Sequence, residues 1–407
     1  MKVRSLLLVA FVTMQVCVFG QNNSWGNMNQ VFGQLSPNVI TTAVPFVSIA
    51  PDARGGSMGD CGVASEADVY SMHYNPAKYV YLENKMSIGL GYSPWLNNLV
   101  KDMNLAYLAM GYKFNERSAL GATLRYFSAG DINFRDENNY DLGTYSPNEW
   151  AFDVAYSRML GDYLSAAVAG RFIYSNICQG QADYARPGIS VAADVSVYYK
   201  RPVEWFSNMD ANIAWGAAIT NIGSKMSYNA GSAKKDFIPT NLRVGGSMKL
   251  ELDEYNSLAF NVDLNKLLVP TPPIKDAQTG EILYGRDDNV GVVSGMIQSF
   301  YDAPGYSWNE NLQQYQRLGV FNEELREITE GLGIEYWYNN IFAVRGGYFN
   351  ETAMKGNRKY VTLGAALRYS VFNLDISYLI PVSNKAGSNP LENTLRFNLT
   401  YNMGVKK

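Results

Sequence analysis

Charge, cysteine and histidine are all scarce in this chain, and past its first twenty residues no long hydrophobic run occurs. Asp, Glu, Lys and Arg make up only 17% of the 407 residues, which is low for a soluble enzyme. Lys and Arg number 34 against 37 Asp and Glu. No basic stripe is available to hold a polyanion, so nucleic-acid binding has no support. One histidine and three scattered cysteines supply no zinc-ligand set and no disulfide framework, and no cofactor motif accompanies them. No later stretch reaches 18 uninterrupted apolar residues, so a spanning helix is excluded there. What the chain does have is 29 Tyr and 36 Gly, with aromatics at 13%. That profile suits strands and membrane interfaces.

The N-terminus reads as an export signal. Lys2 and Arg4 form a positive n-region, residues 6–19 a short apolar h-region, and Gly20 a small residue at a cleavage site before Gln21; residues 1–20 are expected to be a signal peptide. The apolar run is too short to span a bilayer as a helix, and Cys17 lacks the small residues that lipoprotein processing needs. Removing Lys2 and Arg4 takes the formal charge from −3 to −5. It leaves Cys61 and Cys178, which an oxidising compartment would permit to pair once. An exported chain of this kind is either soluble outside the cytoplasm or crosses a membrane as a closed sheet.

Period-2 alternation decides between these. Leu395, Phe397, Leu399, Tyr401 and Met403 fall on one face of a strand, and Thr394, Arg396, Asn398, Thr400 and Asn402 on the other, because successive strand side chains point to opposite sides. Similar segments are read at 86–92, 102–112, 118–127, 149–157, 163–174, 188–199, 211–221, 241–250, 257–266, 331–338, 342–349, 360–369, 372–380 and 393–403. Most are long enough to cross a bilayer when tilted. Short connections (114–117, 160–162, 201–210, 253–256, 339–341, 370–371) alternate with long ones (128–148, 175–187, 222–240, 267–330). Short periplasmic turns and long outer loops are the rhythm of an outer-membrane barrel. The expected fold is all-β: a transmembrane antiparallel β-barrel of about 14 strands over residues 85–407, preceded by an N-terminal extension and plug at 21–84. Its polar faces would line a charge-paired, solvated lumen, with Arg125, Arg171, Arg243, Arg345, Arg368 and Arg396 against Asp153, Asp194, Asp263, Glu335 and Asp375. Residues 267–330 are too long for a simple loop. They read as a structured extracellular segment with a helix over 321–330 whose polar side carries Glu323 and Glu327.

Residues 48–80 hold glycines at 55, 56, 59 and 62, which permit tight backbone. A short helix is expected over 66–74, ended by Asn75–Pro76. Gly55–Gly56–Ser57–Met58–Gly59 matches G-x-S-x-G, but no strand–turn–helix context surrounds it. It reads as a glycine-rich plug turn, His73 as a packing or hydrogen-bonding residue, Cys61 as a small buried residue, and Asp60 as an acceptor for local backbone donors.

The run PDARGGSMGDCGVASEADVYSMHYNPAK resembles the N-terminal signature of the PorV (LptO) family, with its PDAR, MG-D and NPA elements (here Asp52, Arg54, Gly59, Asp60, Asn75 and Pro76). That family comprises outer-membrane components of the type IX secretion system of Bacteroidetes and is related to FadL-type barrels. The resemblance implies a non-enzymatic role in the cell outer membrane. Such a protein would accept cargo bearing a C-terminal signal domain from an SprA/Sov-type translocon. It would pass that cargo to a PorU-type sortase complex, which attaches it to lipopolysaccharide. Two rivals stand beside it: a FadL-like channel for uptake of hydrophobic small molecules, and a surface lipid hydrolase using Ser57. Candidate partner and cargo contacts are the loop aromatics and their neighbours: Trp95, Leu96, Phe134, Tyr140, Tyr145, Tyr301, Tyr306, Trp308 and Phe321.

Overall fold

In the computed structural model the described residues are 38–94, 102–135, 141–177, 185–206, 209–229, 235–276, 278–309, 312–382 and 394–404. The leader, Trp95, Leu96, Tyr140 and Cys178 lie outside them.

Strands β1 (Met86–Pro94), β2 (Asn104–Asn115) and β3 (Ser118–Ser128) open the main sheet. β4 (Ile132–Arg135) and β5 (Asp141–Tyr145) form a small separate hairpin. β6 (Asn148–Met159), β7 (Leu164–Asn176), β8 (Gly188–Phe206), β9 (Met209–Gly223), β10 (Asn241–Glu251) and β11 (Asn256–Leu267) continue the main sheet. Within the next connection, β12 (Ile274–Lys275) pairs with β13 (Ile282–Tyr284), and β14 (Tyr306–Asn309) with β15 (Gln314–Arg317). β16 (Thr329–Tyr338), β17 (Phe342–Asn350), β18 (Lys359–Tyr369), β19 (Phe372–Pro381) and β20 (Leu395–Met403) complete the sheet. β20 pairs antiparallel with β1, Leu399 opposite Leu90, and so closes a barrel of fourteen strands. Closure leaves no edge with unpaired backbone groups, which is the condition a sheet must meet in hydrocarbon.

All fourteen segments read from alternation become barrel strands. One connection differs: β8 runs to Phe206 and β9 starts at Met209, with Arg201 opposite Ile213 and Val203 opposite Ala211. The backbone at 201–206 continues the ladder instead of looping, because pairing satisfies its polar groups.

Connections of two to four residues (β2–β3, β6–β7, β8–β9, β10–β11, β16–β17, β18–β19) lie at one end, and those of eight or more at the other. Along β6, Phe152, Val154 and Tyr156 face outward and are exposed, while Ala151, Asp153, Ala155 and Ser157 are buried in the interior. The packed core therefore sits inside the barrel, where residues 43–82 fill the lumen. At the long-loop end Val44, Phe46 and Val47 pack on Leu105, Phe127, Ile173 and Ile238. Toward the short-turn end Tyr79, Val80 and Leu82 pack on Ala119, Ala155 and Ala169, and Tyr81 donates its hydroxyl to the Tyr163 carbonyl in the β6–β7 turn. The chain thus descends the whole barrel before β1 begins. The expected charge pairing is present in part: Arg171 meets Asp153 and Asp194, and Arg345 meets Glu335 and Asp375, whereas Arg125 and Asp263 bond the backbone of the lumenal segment, and protein rather than solvent fills the middle.

Two local expectations are corrected. Residues 66–74 do not form an α-helix; they hold only a 3-10 turn at Ser71–His73, followed by another at Pro76–Tyr81. Pro76 opens that second turn instead of ending a helix, since its missing N–H costs nothing at the first position. The helix expected over 321–330 spans Val320–Arg326, because β11 claims Thr329 as the partner of Asn265.

Candidate functional site

The lumenal segment is seated on glycines of the wall. A Cβ on Gly347 would lie 2.1 Å from the Gly59 nitrogen, and one on Gly216 would lie 2.1 Å from the Val63 carbonyl oxygen. Each bare position lets plug backbone approach wall backbone more closely than any side chain allows. Gly59 itself has φ near +67°, the left-handed region glycine favours.

Charged and polar side chains then fix the segment in place. Asp52 caps the turn Ala53–Gly56, its Oδ2 accepting from the Gly55 N–H at 2.7 Å. That turn aims Arg54 at the wall. Its Nη2 and Nε donate to the two carboxylate oxygens of Glu335 at 2.8 and 3.0 Å, and Nη1 donates to Asp68 at 3.1 Å. Arg345 donates to the same Glu335 at 2.6 Å and to Asp375 at 2.7 Å, so a chain of alternating charge crosses from plug to wall. Asp263 accepts from the N–H groups of Gly62 and Val63 at 2.7 and 2.9 Å. Arg125 donates to the carbonyls of Phe46 and Val47 at 3.1 and 2.7 Å. Asn75 donates to Val63 and Val197 carbonyls, both at 2.9 Å, and accepts from Ala77 N–H. Arg171 bonds Asp153 and Asn221, and reaches Asp194 at 3.0 Å.

Asp60 does not serve local backbone donors, as read from the sequence. It accepts from the Tyr360 hydroxyl at 2.5 Å and lies 3.7 Å from Arg396, across the lumen. Its φ of 58° lies in the left-handed region, uncommon for a residue other than glycine. Ser57 is fully buried and its hydroxyl donates to the Arg54 carbonyl at 2.7 Å. His73 is buried, with Nδ1 3.1 Å from Arg125 Nη2, and Cys61 is a buried free thiol. Lys78 escaped the sequence reading: it is buried, and its Nζ donates to the Gly62 carbonyl and Ser65 hydroxyl at 2.7 and 3.1 Å. Only its place inside the NPAK run marked it.

Cavities remain on either side of the plug's middle. One of about 560 Å³ opens toward the long loops and includes Asp60, His73, Arg243, Arg358 and Arg396 in its lining. Another of about 350 Å³ lies toward the short turns, with Arg54, Asp68, Trp337, Arg368 and Asp375 among its walls. Among the described residues the two share no lining residue.

Over the long-loop end, described residues of the 268–328 connection pack on one another. Tyr306 stacks on Tyr284 at 4.0 Å between centroids, and Tyr315 meets both Tyr284 and Trp308 edge-on. Helix Val320–Arg326 faces inward with its acids. Lys266 donates to Glu324 and Glu327 at 2.9 and 2.6 Å, and Lys355 to Glu323 and Glu327 at 3.0 and 2.9 Å. Glu323 and Glu327 are therefore buried in ion pairs, not displayed on a polar face. Burial raises the Glu324 carboxyl above its ordinary range. Burial also opposes ionisation of Glu327, but Lys355 and Lys266 outweigh it and lower that carboxyl. Burial pushes Asp302 up to about 6.

The candidate contact residues are dispersed. Tyr306 and Trp308 are half-buried in the loop's aromatic cluster. Phe321 stands out at 73% exposed, with Leu325 beside it one helical turn on, and Tyr301 is exposed on the same loop. Tyr145, on β5, donates its hydroxyl to the Asn176 carbonyl at 2.6 Å, and Phe134 lies on β4.

The toluene transporter TodX of P. putida is 11% identical, covering 88% of this chain and 99% of its own, with a TM-score of 0.47. The CymD monoaromatic hydrocarbon channel is 12% identical, covering 89% and 99%, with a TM-score of 0.46. A Pseudomonas aeruginosa FadL homologue is 8% identical, covering 91% and 100%, with a TM-score of 0.38. The barrel assignment rests on the strand pairing and not on these likenesses. A search of curated proteins finds no match. The family model described as "Type IX secretion system protein PorV" matches residues 33–274, more than half of the chain. That span runs from the lumenal segment to the start of the long loop, and the chain accordingly belongs to the PorV family of type IX secretion system proteins.

Proposed function

We propose that this protein is a membrane-anchored cargo shuttle of the type IX system in the outer membrane. After removal of residues 1–20 as a leader, the barrel holds the chain in the bilayer with its long loops outside. Those loops bind secreted proteins that carry a C-terminal signal domain as they leave an SprA/Sov-type translocon, and present them to a PorU-type sortase complex beside lipopolysaccharide. The role is one of binding and hand-over, with no bond made or broken by this chain.

The observation that carries the reading is the bolted plug. A barrel whose lumen is filled by its own chain, latched through Arg54, Asp263 and Arg125, works through its outer surface. Uptake of small molecules would need a path joining the cavity at the long-loop end to the one lined by Arg54 and Asp375. Phe321 and Leu325 supply an apolar anchor of the kind that protein interfaces bury at their centre, held rigidly by the ion pairs beneath.

Deleting the gene is expected to leave C-terminal-domain cargo unprocessed and periplasmic. A Phe321→Asp, Leu325→Asp variant is expected to fold yet lose cargo in pull-downs from outer membranes. Normal surface attachment of cargo in the deletion strain would overturn the proposal.

A further inference from the structure

We infer that one face of the long loop is a lipid-contact surface: helix Val292–Gln298 and the two aromatics that follow it rest in the outer leaflet beside the barrel wall. The inference depends on the barrel spanning a membrane and goes beyond the docking role proposed for Phe321.

On β11, Asp263 points into the lumen, while Val262 and Leu264 face outward and are 44% and 45% exposed. By the same alternation Lys266 points outward, to the lipid side. It is nevertheless 7% exposed, because Glu324, Glu327 and the ring of Phe300, 5.9 Å from its Nζ, cover it. The loop is therefore folded against the outside of the wall at its rim, directly above the apolar stripe of β11.

Phe300 follows helix 292–298 directly, so its contact with Lys266 sets the end of that helix at the same rim. The inner side of the helix is Gly295, where a Cβ would meet Phe237 at 2.9 Å and Pro270 at 3.1 Å. Its outer side is Val293, Ile297 and, one turn further, Phe300, a stripe at i, i+4 and i+7 that is 67%, 59% and 51% exposed. From Asn289 to Tyr301 no residue is charged, whereas Asp287, Asp288 and Asp302 bracket the run. Arg286 lies 4.5 Å over the Tyr301 ring, pairing an interfacial aromatic with a cation able to reach headgroups. Moving side chains of this size out of water is favourable, and the medium that adjoins the outward face of β11 is lipid. A protein seated there would have to displace lipid from β11 as well.

Single cysteines at 293 and 297, in a chain with its native cysteines changed to alanine, would carry nitroxide labels in phosphatidylcholine vesicles. Collision with oxygen and with a water-soluble nickel chelate reads depth. Val195→Cys on the wall is the lipid control, and Glu281→Cys the aqueous one. We expect labels at 293 and 297 to favour oxygen several-fold over the chelate, as at 195, and opposite to 281. Aqueous readings at 293 and 297 with lipid at 195 would overturn the inference alone. Aqueous readings at 195 as well would overturn the membrane-spanning barrel itself. Shielding that appears only when cargo or translocon is added would assign the face to protein and also refute it.

Discussion

The latch between Arg54 and Glu335 allows a quantitative test. Arg54→Met keeps the length and apolar stem of the side chain but removes its donors. Lost are two hydrogen bonds to Glu335, at 2.8 and 3.0 Å, one to Asp68 at 3.1 Å, and one to the Glu66 carbonyl at 3.1 Å. Glu335 is 3% exposed, so its carboxylate cannot turn to solvent. Had it been left alone the cost would approach the ~3–5 kcal/mol of an orphaned buried charge. Arg345 remains at 2.6 Å, which retains part of the compensation, while Asp68 is partly solvated. Hydrogen bonds to charged groups are worth roughly 1.5–3 kcal/mol each and do not add fully. A loss of about 3 kcal/mol is therefore expected. Urea titration of the protein in detergent micelles would measure it, read by the gel shift between heated and unheated barrel. Trypsin cleavage at Lys78 would report release of the plug. A change under about 1 kcal/mol would refute the view that this chain of charges bolts the plug. So would barrel unfolding with Lys78 still protected.

Other perturbations follow the same logic. Gly347→Ala drives a methyl to 2.1 Å from the Gly59 nitrogen and should cost at least about 1–3 kcal/mol. Gly170→Ala, on the same barrel with nothing within 4 Å, should be neutral in the same titration. Lys355→Met removes the partner that Glu323 and Glu327 share. Limited proteolysis between residues 303 and 328 should accelerate while the barrel's gel shift stays unchanged. Asp302, lifted by burial from its ordinary 3.8 to about 6, binds its proton more tightly folded than unfolded. Its region should then be most stable near pH 4 and lose stability as pH rises toward 6. Hydrogen exchange at 299–305, corrected for intrinsic rate, should show that slope, and Asp302→Asn should flatten it.

The wall was legible in the sequence because its code is simple. An outward-facing side chain must alternate with a lumenal one, so Leu395 to Met403 or Phe152 to Tyr156 announce both strand and orientation. Turn lengths added which end is which. The plug was legible only as a glycine-rich, mixed segment. Its shape is set by wall residues some two to three hundred positions away: Glu335 for Arg54, Asp263 for Gly62, Tyr360 for Asp60. Local propensity favoured a helix over 66–74, and those distant partners favoured an irregular path. The same holds in the long loop. Glu323 and Glu327 look like a solvated helix face until Lys266 and Lys355 are brought beneath them. That inversion, acids inward and Phe321 outward, has no local signature.

The descent of residues 43–82 from the long-loop rim to the short turns constrains the order of assembly. Only Glu83, Asn84 and Lys85 separate Leu82 from β1, and β1 forms the closing seam with β20. A ring sealed first would have to admit this length of chain afterwards, drawing Tyr70, Tyr79 and Arg54 through a bore no wider than they fill. Residues 43–82 are then expected to be in place before the sheet closes, with the hairpins laid around them and the β1–β20 pairing a late step.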